Sequence, residues 1–193
     1  MKYIFVTLFT LLIFINAIQS QEIGLQAASG ITRLRNPGGY FGHQPLFSYG
    51  FNCFLNFDLS KRIFLSIEPG YIQKGIADYD HHYTHKFDIL SMPVVMGFDF
   101  YKKLYFVIGV ALDKPIKIRH KSDGQLIAQT KIENGREFPL IVGLRKTINP
   151  KINISLRYTH AFNYISRNIW TGEVADYNQS LHLVATYSLF NFK

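Results

Sequence analysis

The sequence has few charged residues, a single cysteine and, beyond residue 20, no long apolar run. Charged residues make up 18% of the 193 residues, whereas a soluble domain usually has roughly a quarter. A lone cysteine, Cys53, cannot form an internal disulfide, which excludes a disulfide-stapled secreted fold. A membrane-spanning helix needs about 20 consecutive apolar residues. No stretch after residue 20 approaches that length, so a polytopic helical membrane protein is also excluded.

What the chain has instead is apolar and aromatic surface with an excess of positive charge. Hydrophobic residues make up 48% and aromatic residues 16%, and the formal net charge is +8. A chain this hydrophobic does not stay disordered. Its length predicts one domain, in surroundings that tolerate exposed apolar groups.

The first twenty residues have the organisation of a secretory signal peptide. Lys2 gives a short positive start, an apolar run extends from Tyr3 to Ile15, and a small residue, Ser20, ends the segment. This order is typical of a cleaved export signal. We therefore expect a signal peptide at 1–20 and one exported domain at 21–193.

The exported part is dominated by alternation of apolar with small or polar residues, the period of a β-strand between two different environments. In the clearest case Ile152, Ile154, Leu156 and Tyr158 alternate with polar residues. Eight segments repeat this pattern, at 23–32, 47–59, 63–74, 86–100, 104–113, 138–145, 152–161 and 181–189.

The connectors between these segments are alternately long and short. The short ones lie at 60–62, 101–103 and 149–151, and the long polar ones at 33–45, 75–86, 114–136 and 165–179. Outer-membrane barrels have short periplasmic turns and longer external loops. The sequence thus predicts an all-β fold, an eight-stranded antiparallel up-and-down transmembrane β-barrel, located in the cell outer membrane.

The charge distribution favours a membrane barrel over a soluble one. A Lys or Arg facing lipid near the midplane costs about 2–4 kcal/mol, and the apolar stripes of the eight segments contain none. The opposite stripes are mostly small and polar, which suits the narrow, filled interior of an eight-stranded barrel. Pro69, Pro93 and Pro139 fall within strands, where we expect bulges or strand shifts.

Two segments resemble a known family. They are Glu68-Pro69-Gly70-Tyr71-Ile72-Gln73-Lys74-Gly75 and Phe87-Asp88-Ile89-Leu90-Ser91-Met92-Pro93. They are similar to the PorT-like outer-membrane β-barrel family, which has a strand of type E-x-G-Y-x-x-K-G followed by a partner ending in an apolar-Pro motif. The resemblance implies an eight-stranded barrel in a Gram-negative outer membrane. It also implies an association with type IX protein secretion, by analogy of fold.

Six polar residues fall on the inward stripes and form the candidate lumen site: Asp58, Glu68, Lys74, Arg145, Arg157 and His182. Charges inside a closed barrel must pair. We expect a structural salt-bridge network, in preference to a gated path for protons or ions.

The second long connector contains His81, His82 and His85 beside Asp78 and Asp80. Imidazole and carboxylate groups are ligands of zinc and copper, so these histidines are weak metal candidates. A solvated polar loop is the favoured interpretation because no second ligand cluster stands at a fixed spacing. We expect no cofactor.

A lipid-modifying enzyme is the alternative from another functional class. Outer-membrane lipid A deacylases have a His-x-Ser-Asn arrangement on a strand, and the corresponding residues here are His160, Phe162 and Asn163. Phenylalanine supplies no hydroxyl nucleophile for acyl transfer. We therefore assign no catalytic residue and expect no enzyme.

The third long connector is basic. Its cations, together with one histidine, are Lys114, Lys117, Arg119, His120 and Lys121. Such a patch suits lipopolysaccharide phosphates or another polyanion, although an ordinary exposed hairpin is the favoured interpretation. Nucleic acid is not expected as a partner, since the chain has an export signal and no recognition module.

These observations favour a non-enzymatic integral outer-membrane barrel, structural or serving as an interaction platform through its outer loops and periplasmic rim. The expected partners are outer-membrane lipids, lipopolysaccharide and a protein bound at the rim or the loops. An accessory component of protein secretion, type IX-like, is the first alternative.

Overall fold

The computed structural model describes residues 21–35, 44–77, 82–131, 136–162 and 177–192. All regular structure in these ranges is antiparallel β-strand, and they contain no apolar helix of membrane-spanning length. The strands are β1 (Gln21–Arg35), β2 (Gln44–Ser60), β3 (Ile63–Ile67), β4 (Gly70–Ala77), β5 (Tyr83–Tyr101), β6 (Leu104–Ser122), β7 (Gln125–Lys131), β8 (Pro139–Asn149), β9 (Ile152–Ala161) and β10 (Tyr177–Phe192).

These strands close into a barrel with eight strand positions. The first strand, β1, pairs with β2 on one side and with β10 on the other, which closes the sheet. Strands β3 and β4 both lie between β2 and β5 and share one position. Strands β7 and β8 both pair with β6 and share another. The predicted eight-stranded antiparallel barrel is confirmed.

The short connectors form tight turns at one end of the barrel, the periplasmic end in barrels of this kind. The turn between β5 and β6 contains Lys102 and Lys103, whose φ angles are 44° and 63°. Positive φ at both central residues defines the two-residue turn that matches the twist of paired strands.

The third long connector, at 114–136, contains the exposed hairpin that the sequence favoured. Strand β6 continues to Ser122, turns at Asp123 and Gly124, and returns as β7. Every residue of β7 is exposed. The basic segment is therefore a regular hairpin that extends the barrel wall on the outer side.

The three strand prolines have different outcomes. Pro69 separates β3 from β4, and Pro139 begins β8. The expected shift at Pro93 does not occur against β6, because the pairing there is continuous from Met92 to Val94. On its other side Pro93 faces the break between β3 and β4, where its carbonyl accepts a 2.8 Å hydrogen bond from the Glu68 amide.

The barrel is polar inside and apolar outside. Among the described residues, 20 polar or charged side chains are buried against 13 hydrophobic ones, the reverse of the usual pattern in soluble domains. The large exposed side chains on the strands are mainly hydrophobic, including Phe47, Phe51, Val110 and Leu183. This exposed surface matches the lipid-facing band of a transmembrane barrel.

Inside the periplasmic half, an aromatic ring covers a glycine. Phe64 on β3 is directly opposite Gly97 on β5, and its ring packs where a Gly97 side chain would stand. A Cβ atom at position 97 would lie 2.1 Å from Phe64 Cε1. The same ring packs edge to face against Tyr105 and lies beneath the Arg145 guanidinium. The ring therefore cannot move aside without disturbing the lumen.

We expect Gly97→Val to lower the free energy of unfolding by about 1–3 kcal/mol, the usual cost of overpacking. Urea unfolding of the refolded barrel in detergent micelles measures it. Phe64→Leu in the Gly97→Val background makes room and should recover part of the loss. Met96→Val, on the lipid-facing stripe of the same strand, is the control. Equal losses for Gly97→Val and Met96→Val would contradict the packing argument.

Candidate functional site

The lumen contains a buried ion pair between Glu68 and Arg157. Glu68 is fully buried at the break between β3 and β4, and Arg157 projects inward from β9. The guanidinium donates two hydrogen bonds to the carboxylate, from Nη1 to Oε2 at 2.5 Å and from Nη2 to Oε1 at 3.0 Å. Ser66 Oγ adds a third at 2.9 Å. This two-pronged geometry is the strongest form of such a pair.

A second buried cluster surrounds Lys74. Its Nζ lies 2.9 Å from Asp113 Oδ2 and 3.9 Å from Glu137 Oε2. Ser91 Oγ donates to the other oxygen of Asp113 at 2.5 Å. The backbones of Asp113 and Glu137 exchange two hydrogen bonds, which hold the carboxylates side by side across the lysine.

The remaining predicted lumen residues, Arg145, His182 and Asp58, lie in different surroundings. The Arg145 guanidinium lies 4.6 Å from the Phe64 ring centroid, and His182 Nε2 lies 2.9 Å from Ser48 Oγ. Both side chains are buried. Asp58 is exposed, contrary to the expectation of a buried pair, because β2 passes a register shift there and reaches the end of the barrel. It lines a cavity of about 110 Å³ at the periplasmic mouth.

The centre of the lumen is almost filled. A cavity of about 60 Å³ remains between the two clusters, lined in part by Lys74, Asp113, Arg157 and His182. Pockets that bind small molecules usually measure about 300–1,000 Å³. The space between the two clusters is therefore too small for such a molecule.

Sequence reasoning missed the acidic partners of Lys74. Asp113 continues the inward alternation of β6, so its position signalled a lumen residue. Glu137 lies in a connector and its signal was weaker, because only the bridge to Asp113 turns it inward.

A polar cluster also lies on the outward face, above the apolar band. Asp88 Oδ1 accepts hydrogen bonds from Tyr71 Oη at 2.5 Å, Gln73 Nε2 at 3.1 Å and Arg119 Nη2 at 2.6 Å. These side chains come from β4, β5 and β6. The cluster fixes Arg119 of the predicted basic connector against the outer wall.

The two metal candidates that the structure describes, His82 and His85, contact different residues. His81 lies outside the described residues, as do Asp78 and Asp80. His82 Nδ1 lies 2.8 Å from Asp123 Oδ1 at the exposed hairpin turn, and His85 Nδ1 lies 2.6 Å from His120 Nδ1. Within the described ranges no group of three metal-ligating side chains comes together.

The residues compared with a deacylase site have aromatic neighbours. The rings of Tyr158 and Phe162 flank His160, with centroids 6.4 and 5.2 Å away. His160 Nδ1 lies 3.1 Å from Gln179 Nε2. Asn163 is outside the described part of the chain.

Comparison with solved structures identifies the fold. Neisserial surface protein A is 10% identical with a TM-score of 0.60, and the match covers 88% of this chain and 99% of that one. Ail, the attachment invasion locus protein of Yersinia pestis, is 16% identical with a TM-score of 0.51, covering 89% and 99%; that protein was solved with the heparin analogue sucrose octasulfate. No family model and no curated protein matches the chain.

The fold is thus that of the eight-stranded bacterial outer-membrane barrels. Together with the apolar outer surface, it places the protein in the cell outer membrane.

Proposed function

We propose that the protein is a non-enzymatic integral outer-membrane barrel that serves as an interaction platform. The observation that carries this proposal is the filled lumen, in which Glu68 with Arg157 and Lys74 with Asp113 occupy the interior. Passage through such a barrel requires breaking buried ion pairs, which is costly. The surfaces available to other molecules are then the outer extensions and the periplasmic rim.

Of these surfaces, the outer hairpin of β6 and β7 exposes large apolar side chains. Leu126 and Ile127 are 54% and 61% exposed near its tip, beyond the apolar band. Exposed apolar side chains in water are typical of a contact surface. At the opposite end, Glu22, Asn56, Asp58 and Arg145 line the periplasmic mouth, a polar rim suited to a protein partner.

A role in protein secretion is the second candidate, supported by the PorT-like motif. Glu68 and Lys74 of this motif form the ion pairs of the two lumen clusters, and Tyr71 donates a hydrogen bond to Asp88 in the polar cluster on the outward face. Gly70 sits where a Cβ would lie 2.2 Å from Asn52 Oδ1. Each of these motif residues thus has a physical task in the lumen or on the barrel wall, and the PorT-like origin is proposed from the motif alone. The secretion role itself is proposed by analogy.

Comparison of the surface and secreted proteins of a clean deletion strain with those of wild type tests the proposal. The protein should fractionate with outer membrane, and loss of the platform should change which proteins reach or remain at the surface. A set of cargo trapped in the periplasm would favour secretion. An unchanged profile would contradict the secretion role and a platform for surface proteins. An altered lipid A mass spectrum would indicate an enzyme.

Complementation of the deletion strain with surface variants then shows which of the two surfaces the function requires. Leu126→Ser with Ile127→Ser alters the outer hairpin, and Asp58→Asn with Lys61→Gln alters the periplasmic end. Both pairs are exposed, so the barrel should fold in each case. We expect the hairpin variant to fail in complementation and the periplasmic variant to succeed. The reverse result would move the platform to the rim.

A further inference from the structure

A single inserted residue turns the cations of β6 outward. Asp88 pairs with Lys117 and Ile89 pairs with Pro115, so Ile116 has no partner on β5. Because side chains alternate strictly along a strand, a one-residue shift exchanges the two faces. Without this bulge Lys117 and Arg119 would face the lumen. Bulges commonly redirect side chains in this way.

The result is an outward face rich in positive charge, directly above the apolar band. Leu90, 49% exposed on the lipid-facing stripe, is paired with Lys114, and the next residues upward on the same face are charged. We call this face the outer basic patch: Lys86, Lys114, Lys117, Arg119, Lys121 and Lys131.

Within the described ranges, Asp88 is the only acidic residue that pairs with the outer basic patch. Lys86 stands directly opposite Arg119, and Lys117 directly opposite Lys131. Like charges directly opposite each other destabilise a sheet. The carboxylate of Asp88 is shared with Arg119, and within the described ranges the five lysines form no ion pair. An external anion would remove this repulsion.

An apolar groove runs along the lipid-facing wall below the patch. Its volume is about 870 Å³, within the range of about 300–1,000 Å³ common to ligand pockets. The groove lies at the break between β3 and β4, where Gly70 contributes no side chain. Its walls include Leu25, Phe51, Cys53, Met92 and Leu112, and its lining extends to Lys114.

We propose that this surface binds one lipopolysaccharide molecule of the outer leaflet, with an acyl chain in the groove and a lipid A phosphate on the outer basic patch. The occupant must be apolar below Lys114 and anionic above it, at the level where the membrane surface begins. Lipid A has this distribution, and Lys and Arg are the usual partners of phosphate. The inference rests on the proposed outer-membrane function and names a lipid partner for it.

Binding of fluorescent lipopolysaccharide to the full chain, refolded in phosphatidylcholine nanodiscs, tests the proposal. The patch variant combines Lys114→Gln, Lys117→Gln and Lys131→Gln, and the control combines Lys61→Gln, Lys103→Gln and Lys151→Gln at the periplasmic turns. Anisotropy should give a Kd raised about ten- to a hundredfold in the patch variant. The control should change by less than about twofold. Equal Kd values in the two variants would overturn the proposal.

Two further arms separate the contributions of phosphate and acyl chain. Dephosphorylated lipopolysaccharide should bind wild type as weakly as the intact molecule binds the patch variant. Cys53→Phe fills the groove and should also weaken binding. If inorganic phosphate competes at the same concentration as lipopolysaccharide, the surface recognises only an anion. If each disc holds two protein copies that face each other through the groove, the occupant is a second copy. Either result would overturn the proposal.

Heat-modifiable electrophoretic mobility confirms that each variant has folded as a barrel. A wild-type chain that fails to insert would refute the proposed membrane function itself. A chain that inserts and binds no lipopolysaccharide refutes this inference alone.

Discussion

Glu68→Met is expected to lower the free energy of unfolding by about 3–5 kcal/mol, because it leaves a buried guanidinium without its counter-ion. Arg157 is 5% exposed, and Arg145 is buried on the same wall of the lumen. The substitution therefore leaves two cations in an enclosed space. Reversible urea unfolding in lipid vesicles, followed by circular dichroism and electrophoretic mobility, measures the change.

The double variant Glu68→Met with Arg157→Met removes both charges of the pair. Replacing a whole buried pair by apolar side chains is often neutral or stabilising, so stability should return most of the way to wild type. Asp123→Asn is the matched control, because it breaks the exposed contact with His82 and should cost about 0–1 kcal/mol. A Glu68→Met loss no larger than that of Asp123→Asn would show that Arg157 is not left as an uncompensated buried charge.

Lys74→Met is expected to lower the free energy of unfolding by a similar amount, but here the charge left without a partner is negative. Asp113 and Glu137 are 2% and 0% exposed, and their backbones hold them together. Removing the shared cation leaves two carboxylates facing each other, at a cost of about 3–5 kcal/mol. The same unfolding measurement applies.

Neutral isosteres show whether the loss is electrostatic. In the Lys74→Met background, Asp113→Asn with Glu137→Gln removes the repulsion while keeping the shapes, so stability should rise again. Lys146→Met, at an exposed lysine of β8, is the control and should stay within about 0.5 kcal/mol of wild type. If the neutral triple variant is no more stable than Lys74→Met alone, lost packing rather than repulsion is responsible.

The sequence predicted the barrel well because strand alternation and connector length are local signals. Both depend on residues within one segment, such as Ile152 to Tyr158, and the transmembrane environment makes the contrast between the two faces strong. The inward orientation of Glu68, Lys74 and Arg157 followed from the same alternation.

What the sequence did not predict depends on register between strands. The pairing of Glu68 with Arg157 joins residues 89 positions apart, and alternation alone does not say which strands face each other across the lumen. The outward turn of Arg119 depends on the unpaired Ile116, a single residue whose insertion leaves the apolar pattern of β6 almost unchanged. Asp58 followed the alternation but lies too near the end of β2 to be enclosed.

The hairpin turn at Asp123 and Gly124 has a consequence for engineering. Both residues already have positive φ, at 47° and 81°, and nothing lies within 4 Å of a Cβ placed on Gly124. A peptide spliced in at this turn would extend the hairpin beyond the exposed strand β7 and would not enter the barrel wall. The protein thus offers a display scaffold in which the barrel holds an inserted peptide beyond the lipid surface.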